Sequence, residues 1–99
     1  MSVRFHPAAE SEAAVARDAF AAQDSESPRR FARRLDLALN RLQAFPEMGK
    51  PGMRGTRSVY LAPFPFHLVY LADNSEIIVV AIAHAARRPG YWRERSRRS

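Results

Sequence analysis

The pattern of apolar and polar positions predicts helices in the first half of the chain. The clearest period is a set of apolar residues at steps of four and three: Phe31, Leu35, Ala38, Leu42 and Phe45. This spacing places them on one face of a helix. Ser27-Pro28 predicts its start, because serine can cap free N–H groups and proline fits the first helical position. Pro46 predicts its end.

An alanine-rich segment precedes this helix and predicts another over residues 8–23. Its acidic first turn, with Glu10 and Glu12, suits the positive end of a helix dipole. Only residues 24–27 join the two helices, so we expect an antiparallel hairpin. Before them, the alternation at residues 3–5 predicts an edge strand that ends at Pro7.

The second half has the pattern of a β-meander. Glycine and proline make residues 47–56 a loop, and β segments follow at 57–62, 66–72 and 76–83. Asp73-Asn74-Ser75 predicts a tight turn, and Pro63 and Pro65 predict a corner. The expected fold is one α+β domain over residues 1–99: an N-terminal strand, an antiparallel two-helix hairpin packed on an antiparallel β-meander, and a short basic and aromatic C-terminal segment.

The last predicted strand leads directly into the residues most suited to chemistry. The apolar run 77–82 is followed within ten residues by a cluster of basic and aromatic side chains: His84, Arg87, Arg88, Tyr91 and Trp92. Pro89-Gly90 interrupts regular structure between the arginines and the aromatic pair. We therefore expect these side chains to turn toward one site.

Charge and composition narrow the kind of site. The net charge is +6, and residues 50–99 carry all of the excess, with nine basic residues against three acids. Such a concentration favours an anionic partner. The chain has no cysteine, and its three histidines lack metal-ligand spacing, so we predict no metal and no cofactor. No signal-type h-region and no run long enough to cross a bilayer occur, so we expect a cytoplasmic protein.

Five motifs then suggest a family: HPxAxxE at 6–12, LxxxP at 42–46, GTR at 55–57, FPFHLVY at 64–70 and AIAHAARRPGYW at 81–92. In this order and spacing the chain resembles the RelE/ParE superfamily of bacterial toxins from type II toxin–antitoxin systems. The resemblance implies a compact α+β toxin held inactive by a cognate antitoxin, with which it would form a hetero-oligomer. It leaves two targets open: mRNA on the ribosome or DNA gyrase.

The first interpretation is a metal-independent endoribonuclease. RNA cleavage without a metal needs a base, an acid, and cations near the phosphate. His84 or Tyr91 could transfer protons, while Trp92 or Tyr91 could stack on a base. The phosphate-binding candidates are Arg57, Arg87 and Arg88.

The resemblance adds one residue to this interpretation. The functional positions of RelE-like nucleases fall on His67, Arg87 and Tyr91 here. His67 stands where those nucleases carry an arginine, which weakens a phosphate clamp in that strand.

The competing interpretation is a binding protein that poisons DNA gyrase, as in the ParE-like branch. It would use exposed surfaces of the helical hairpin and the C-terminal segment, and it would need no general acid or base. A third interpretation is a degenerate toxin that keeps only antitoxin binding.

Each candidate also has a structural interpretation that the sequence leaves open. His84 and His67 could be histidines bonded within the fold. Tyr91 and Trp92 could cover the open edge of the core. Arg57 could brace the preceding loop through carbonyl groups.

Overall fold

The predicted α+β architecture is confirmed by a computed structural model, which describes residues 1–96. The last three residues of the predicted C-terminal segment lie outside the described part. The elements in chain order are β1 (Ser2–Phe5), α1 (Pro7–Ala21), α2 (Ser27–Ala44), β2 (Lys50–Pro51), β3 (Arg57–Tyr60), β4 (Phe66–Asp73) and β5 (Glu76–His84). Short 3₁₀ helices occupy Met53–Gly55 and Arg93–Ser96.

The five strands form one sheet in the order β1-β5-β4-β3-β2. The meander β3-β4-β5 is antiparallel as predicted, whereas β1 pairs with β5 in parallel. The two-residue strand β2 lies inside the segment predicted as loop and extends the sheet beyond β3. Pairing of β1 stops at Val79, so the last residues of β5 have an edge that β1 does not cover.

The helices cover one face of the sheet. Four phenylalanine rings from α1, α2 and the β3-β4 region pack there with centroid distances of 5.0 to 6.1 Å: Phe20, Phe31, Phe64 and Phe66. Ala9 and Ala16 are buried on the inner side of α1. Their small side chains let the helix backbone lie close to the core.

The opposite face, which α1 and α2 leave uncovered, has a smaller apolar cluster. Its buried members are Val69, Val80, Ala81, Ala83 and Trp92. Trp92 comes from the C-terminal segment, so that segment folds back onto the face that the hairpin leaves free.

Two details of the helices differ from the prediction. Ser27 does not cap α2; instead the Asp24 carboxylate accepts hydrogen bonds from the backbone N–H of Glu26 at 2.8 Å and of Ser27 at 2.6 Å. The Ser27 hydroxyl also donates to Asp24, and this hydrogen bond is the main reason that the pKa of Asp24 is lowered. Phe45, predicted as the last member of the apolar face, lies just past the helix and is 68% exposed.

Candidate functional site

All seven candidate residues border one cavity of about 250 Å³ beside the sheet face opposite the helices, although the His84 ring packs against Phe66 of the helix-covered face. They are Arg57, His67, His84, Arg87, Arg88, Tyr91 and Trp92. The loop before β3 forms the facing wall with Gly52, Met53 and Thr56. The cavity therefore lies between the sheet, this loop and the C-terminal segment.

Strand alternation explains which side chains reach this face. In β4, Phe66, Leu68 and Tyr70 belong to the core beneath the helices. His67 and Val69 alternate with them and so point to the other face, where both line the cavity.

A glycine allows the chain to return along the cavity after β5. Gly90 has φ of +79°, a left-handed conformation that glycine adopts without steric cost. A Cβ at this position would lie 2.7 Å from the sulfur of Met53. The close approach of Gly90 to Met53 closes the C-terminal segment against the loop before β3.

Tyr91 is fixed by contacts on both its ring and its hydroxyl. The hydroxyl donates a 2.6 Å hydrogen bond to Oε2 of Glu12, and the guanidinium of Arg87 lies 3.9 Å from the ring centroid. Burial, followed by the hydrogen bond and the charge of Glu12, raises the pKa of Tyr91 to about 12. At neutral pH the Tyr91 side chain is therefore a neutral phenol whose proton is held in the hydrogen bond to Glu12.

The two histidines at the cavity each have a partner within the fold. Nδ1 of His84 accepts a 3.0 Å hydrogen bond from the backbone N–H of Ala86, and its ring meets Phe66 edge-on at 5.1 Å. The His67 ring lies 4.8 Å from the ring of Tyr60. The hydrogen bond of His84 is of the kind that the structural interpretation predicts, although His84 is exposed, whereas the contact of His67 is with an aromatic ring.

The remaining candidates divide into bound and exposed groups. Nη1 of Arg57 donates to the carbonyls of Glu47 at 3.1 Å and Gly49 at 2.9 Å, so this arginine braces the loop. Trp92 borders the cavity but is only 8% exposed and packs on the sheet, so little of its surface is available for stacking on a base. Arg88, in contrast, is exposed at the rim of the cavity.

Glu12 is the residue of this region to which the sequence assigned no role at the site. Besides Tyr91 it contacts Nη1 of Arg95 at 2.8 Å. The sequence carried one signal, because Glu12 follows Ala9 by three residues and precedes Ala16 by four. It therefore shares the inner face of α1, where a charged side chain requires a specific partner.

Two kinds of feature do not occur in the described part of the chain. Within residues 1–96, no group of three or more histidine, cysteine or acidic side chains is placed to hold a metal ion. None of the helices described is both long and apolar enough to span a bilayer.

Comparison with known proteins identifies the family. The sequence matches the family described as "ParE toxin of type II toxin-antitoxin system, parDE" over residues 3–89. The chain belongs to the ParE toxin family. This match includes Glu12, His67, His84 and Arg87, whereas Tyr91 and Trp92 follow the matched range. No curated protein matches the sequence.

The fold of this ParE-family toxin is also similar to a solved structure described as "Chromosomal ParDE TA system from P. aeruginosa". The TM-score is 0.60 with 14% sequence identity, and the match covers 85% of this chain and 95% of that chain. At this identity the similarity concerns the fold alone. Membership of the ParE family implies a cognate antitoxin as partner.

Proposed function

We propose that this ParE-family toxin arrests growth by binding DNA gyrase and that it does not cleave RNA. The resemblance to the ParE-like branch provides the target, and the state of Tyr91 supports a non-enzymatic role. A phenol with a pKa of about 12 that already donates to Glu12 is poorly suited to take a proton from a 2′-hydroxyl at neutral pH. General base catalysis is efficient when the pKa lies near the working pH.

The other bound candidates support the same proposal. Arg57 donates to two loop carbonyls, and Trp92 is buried on the sheet. Arg87 and Arg88 remain as exposed cations beside the cavity. An exposed cationic surface suits electrostatic attraction to an anionic partner and needs no proton transfer.

We further propose that the cognate antitoxin covers this basic surface with an acidic or amphipathic segment. Like charges on two partners would oppose binding, so acidic side chains are expected opposite the two arginines. A toxin that binds gyrase acts in the cytoplasm, which is also the location that the sequence predicts.

Metal-independent mRNA cleavage is the second candidate. One observation favours it: all four proposed catalytic residues border the same cavity, namely His67, His84, Arg87 and Tyr91. In that case His84, the exposed histidine, is the better proton-transfer group, because the Tyr91 hydroxyl is committed to Glu12.

Two assays in parallel test the proposal: gyrase supercoiling, and mRNA integrity in a translating ribosome extract. The variants are Tyr91→Phe, which removes only the hydroxyl, and Arg87→Ala, which removes the cation over the ring. We expect the wild-type toxin to inhibit supercoiling and to leave mRNA intact. Tyr91→Phe should keep most of the inhibition, because Glu12 still binds Ile82 and Arg95, and Arg87→Ala should weaken it.

Arg4→Ala is the matched control, because it removes an exposed arginine from β1, outside the cavity. It should behave as the wild type in both assays. Cleaved mRNA that disappears in Arg87→Ala would contradict the proposal and establish the nuclease, and loss of cleavage in Tyr91→Phe as well would assign Tyr91 a part in it. A wild-type protein inactive in both assays would contradict it in favour of a degenerate toxin.

A further inference from the structure

The Glu12 carboxylate lies outside the cavity and yet joins three separate parts of the chain. Its Oε1 accepts from the backbone N–H of Ile82 at 3.1 Å and from Nη1 of Arg95 at 2.8 Å. Its Oε2 accepts from the Tyr91 hydroxyl at 2.6 Å. The side chain is only 19% exposed, so these partners replace most of the water around the carboxylate.

The first of these contacts lies at the edge of β5 that β1 leaves uncovered. The register of β1 ends at Val79, and the N–H of Ile82 lies beyond it. An unpaired N–H at a partly buried strand edge is unfavourable, and it also invites pairing with another strand. Glu12 satisfies this donor from α1, while Nη1 of Arg95 lies 3.4 Å from the carbonyl of Val80 on the same edge.

The hydrogen bond between Tyr91 and Glu12 fixes the C-terminal segment where it meets the edge and the face of β5. Glu12 holds Tyr91 at the strand edge, and the next residue, Trp92, packs on the sheet face with Val80 and Ala81. The Tyr91 ring in turn lies beneath Arg87. One wall of the cavity is therefore in contact with a side chain from the opposite end of the sequence.

We propose that Glu12 is a positioning residue that holds residues 91–96 against β5 and so places Arg87 and Trp92 at the cavity. Its negative charge also pairs with Arg95 at 2.8 Å, next to the Tyr91 ring, whose centroid lies 3.9 Å from the guanidinium of Arg87 and 5.2 Å from that of Arg95. Without the carboxylate, the phenol and the N–H of Ile82 lose their acceptor, and the buried part of this network is left unsatisfied. The segment then detaches from the edge of β5.

Trp92 makes this proposal directly measurable, because it is the one tryptophan in the chain. In Glu12→Ala we expect a red-shifted emission maximum and a higher acrylamide quenching constant, with an unchanged far-UV circular dichroism spectrum. Asp18→Ala is the matched control, since it removes an exposed carboxylate from the same helix. Its emission and quenching should equal those of the wild type.

Glu12→Gln tests the role of charge and keeps the experiment valid if Glu12→Ala fails to fold. Glutamine retains an acceptor for Ile82 but loses the ion pair with Arg95, so we expect a shift between those of the wild type and the alanine variant. The proposal would be overturned if Trp92 were as well shielded from water and acrylamide in Glu12→Ala as in the wild type. Equal shifts in both variants and the control would also overturn it.

The functional part of this inference rests on the target-binding role proposed for the cavity. In the supercoiling assay, Glu12→Ala should lose inhibition and Glu12→Gln should recover part of it. An exposed Trp92 with full inhibition would overturn the link between segment position and function. Because fluorescence does not depend on the target, a failure of the gyrase proposal leaves the structural test intact.

Discussion

Tyr91 connects the second apolar cluster to two charged side chains, Glu12 and Arg87. Its ring packs beside the second apolar cluster and supports Arg87, while its hydroxyl reaches Glu12. The sequence left two roles open for Tyr91: it could cover the open edge of the core, or it could transfer protons. The geometry favours the first, because the group that would move a proton is held in a hydrogen bond to a carboxylate.

The raised pKa of Tyr91 predicts a loss of stability in alkaline solution. An unfolded tyrosine releases its proton near pH 10, whereas folded Tyr91 keeps it to about pH 12. The unfolded state therefore binds fewer protons in this range, so the contribution of Tyr91 is complete below pH 10 and is lost as the pH rises through 12. Urea unfolding midpoints across this interval measure the effect.

Tyr91→Phe provides the comparison, because it shares every other titrating group with the wild type. Its unfolding midpoint should fall less steeply between pH 10 and 12. Parallel curves for the two proteins would show that Tyr91 is not held as described.

Between elements, the loop after α2 is attached to the sheet by Tyr70 of β4. The buried Tyr70 hydroxyl donates to the carbonyl of Pro46 at 2.8 Å and accepts from the N–H of Gly49 at 3.0 Å. Arg57 binds the same loop from β3. These contacts hold the end of α2 against β3 and β4. The segment that they fix leads into the loop that forms the cavity wall.

Gly49→Ala should destabilise the protein by about 1–3 kcal/mol, because the added methyl group overpacks a rigid site. A Cβ at Gly49 would lie 2.6 Å from the Tyr70 hydroxyl oxygen and 2.7 Å from a ring carbon. The control is Gly52→Ala, where the nearest atom is 3.4 Å away and the backbone is extended. Urea unfolding at neutral pH measures both variants.

The control variant should be as stable as the wild type or slightly more stable, because alanine restricts the unfolded chain more than glycine does. Equal losses in the two variants would mean that the space around Gly49 does not limit its side chain.

At the scale of the whole molecule, charge is distributed unevenly between the two layers. The excess of basic residues belongs to residues 50–99, and the described part of this range, residues 50–96, forms β2 to β5 and most of the C-terminal segment. Several of them surround the cavity on the face without helices. The helical layer, with balanced charge, covers the opposite face. The molecule therefore presents a basic face and a nearly neutral one.

This asymmetry predicts that target inhibition depends on ionic strength. Exposed charges are screened beyond roughly 10 Å at 0.1 M salt, so added salt should weaken inhibition of supercoiling. Arg88→Ala removes one exposed cation at the cavity rim and should both weaken inhibition and reduce its salt dependence. Measuring inhibition at several salt concentrations tests this.

Arg4→Ala removes the same charge from β1, which does not line the cavity, and should leave the salt dependence unchanged. Identical effects of the two substitutions would mean that net charge, and not the cavity face, governs the encounter with the target.

The sequence by itself determined the type and order of the main helices and strands. Helical period, strand alternation and the glycine and proline breaks are local signals, so α2, the β3-β4-β5 meander and the corner at Pro63 could be predicted. The clustering of His84, Arg87 and Tyr91 followed from their closeness in sequence. The family, with its implied antitoxin, followed from motifs in order.

Only the tertiary structure decided how these elements meet. The helix cap at Asp24, the parallel pairing of β1 and the short strand β2 depend on competition among neighbouring groups and on distant partners. Glu12 lies 70 residues from Ile82 and 79 from Tyr91. No local pattern specifies such contacts, because they form only when the folded sheet brings α1 beside its uncovered edge.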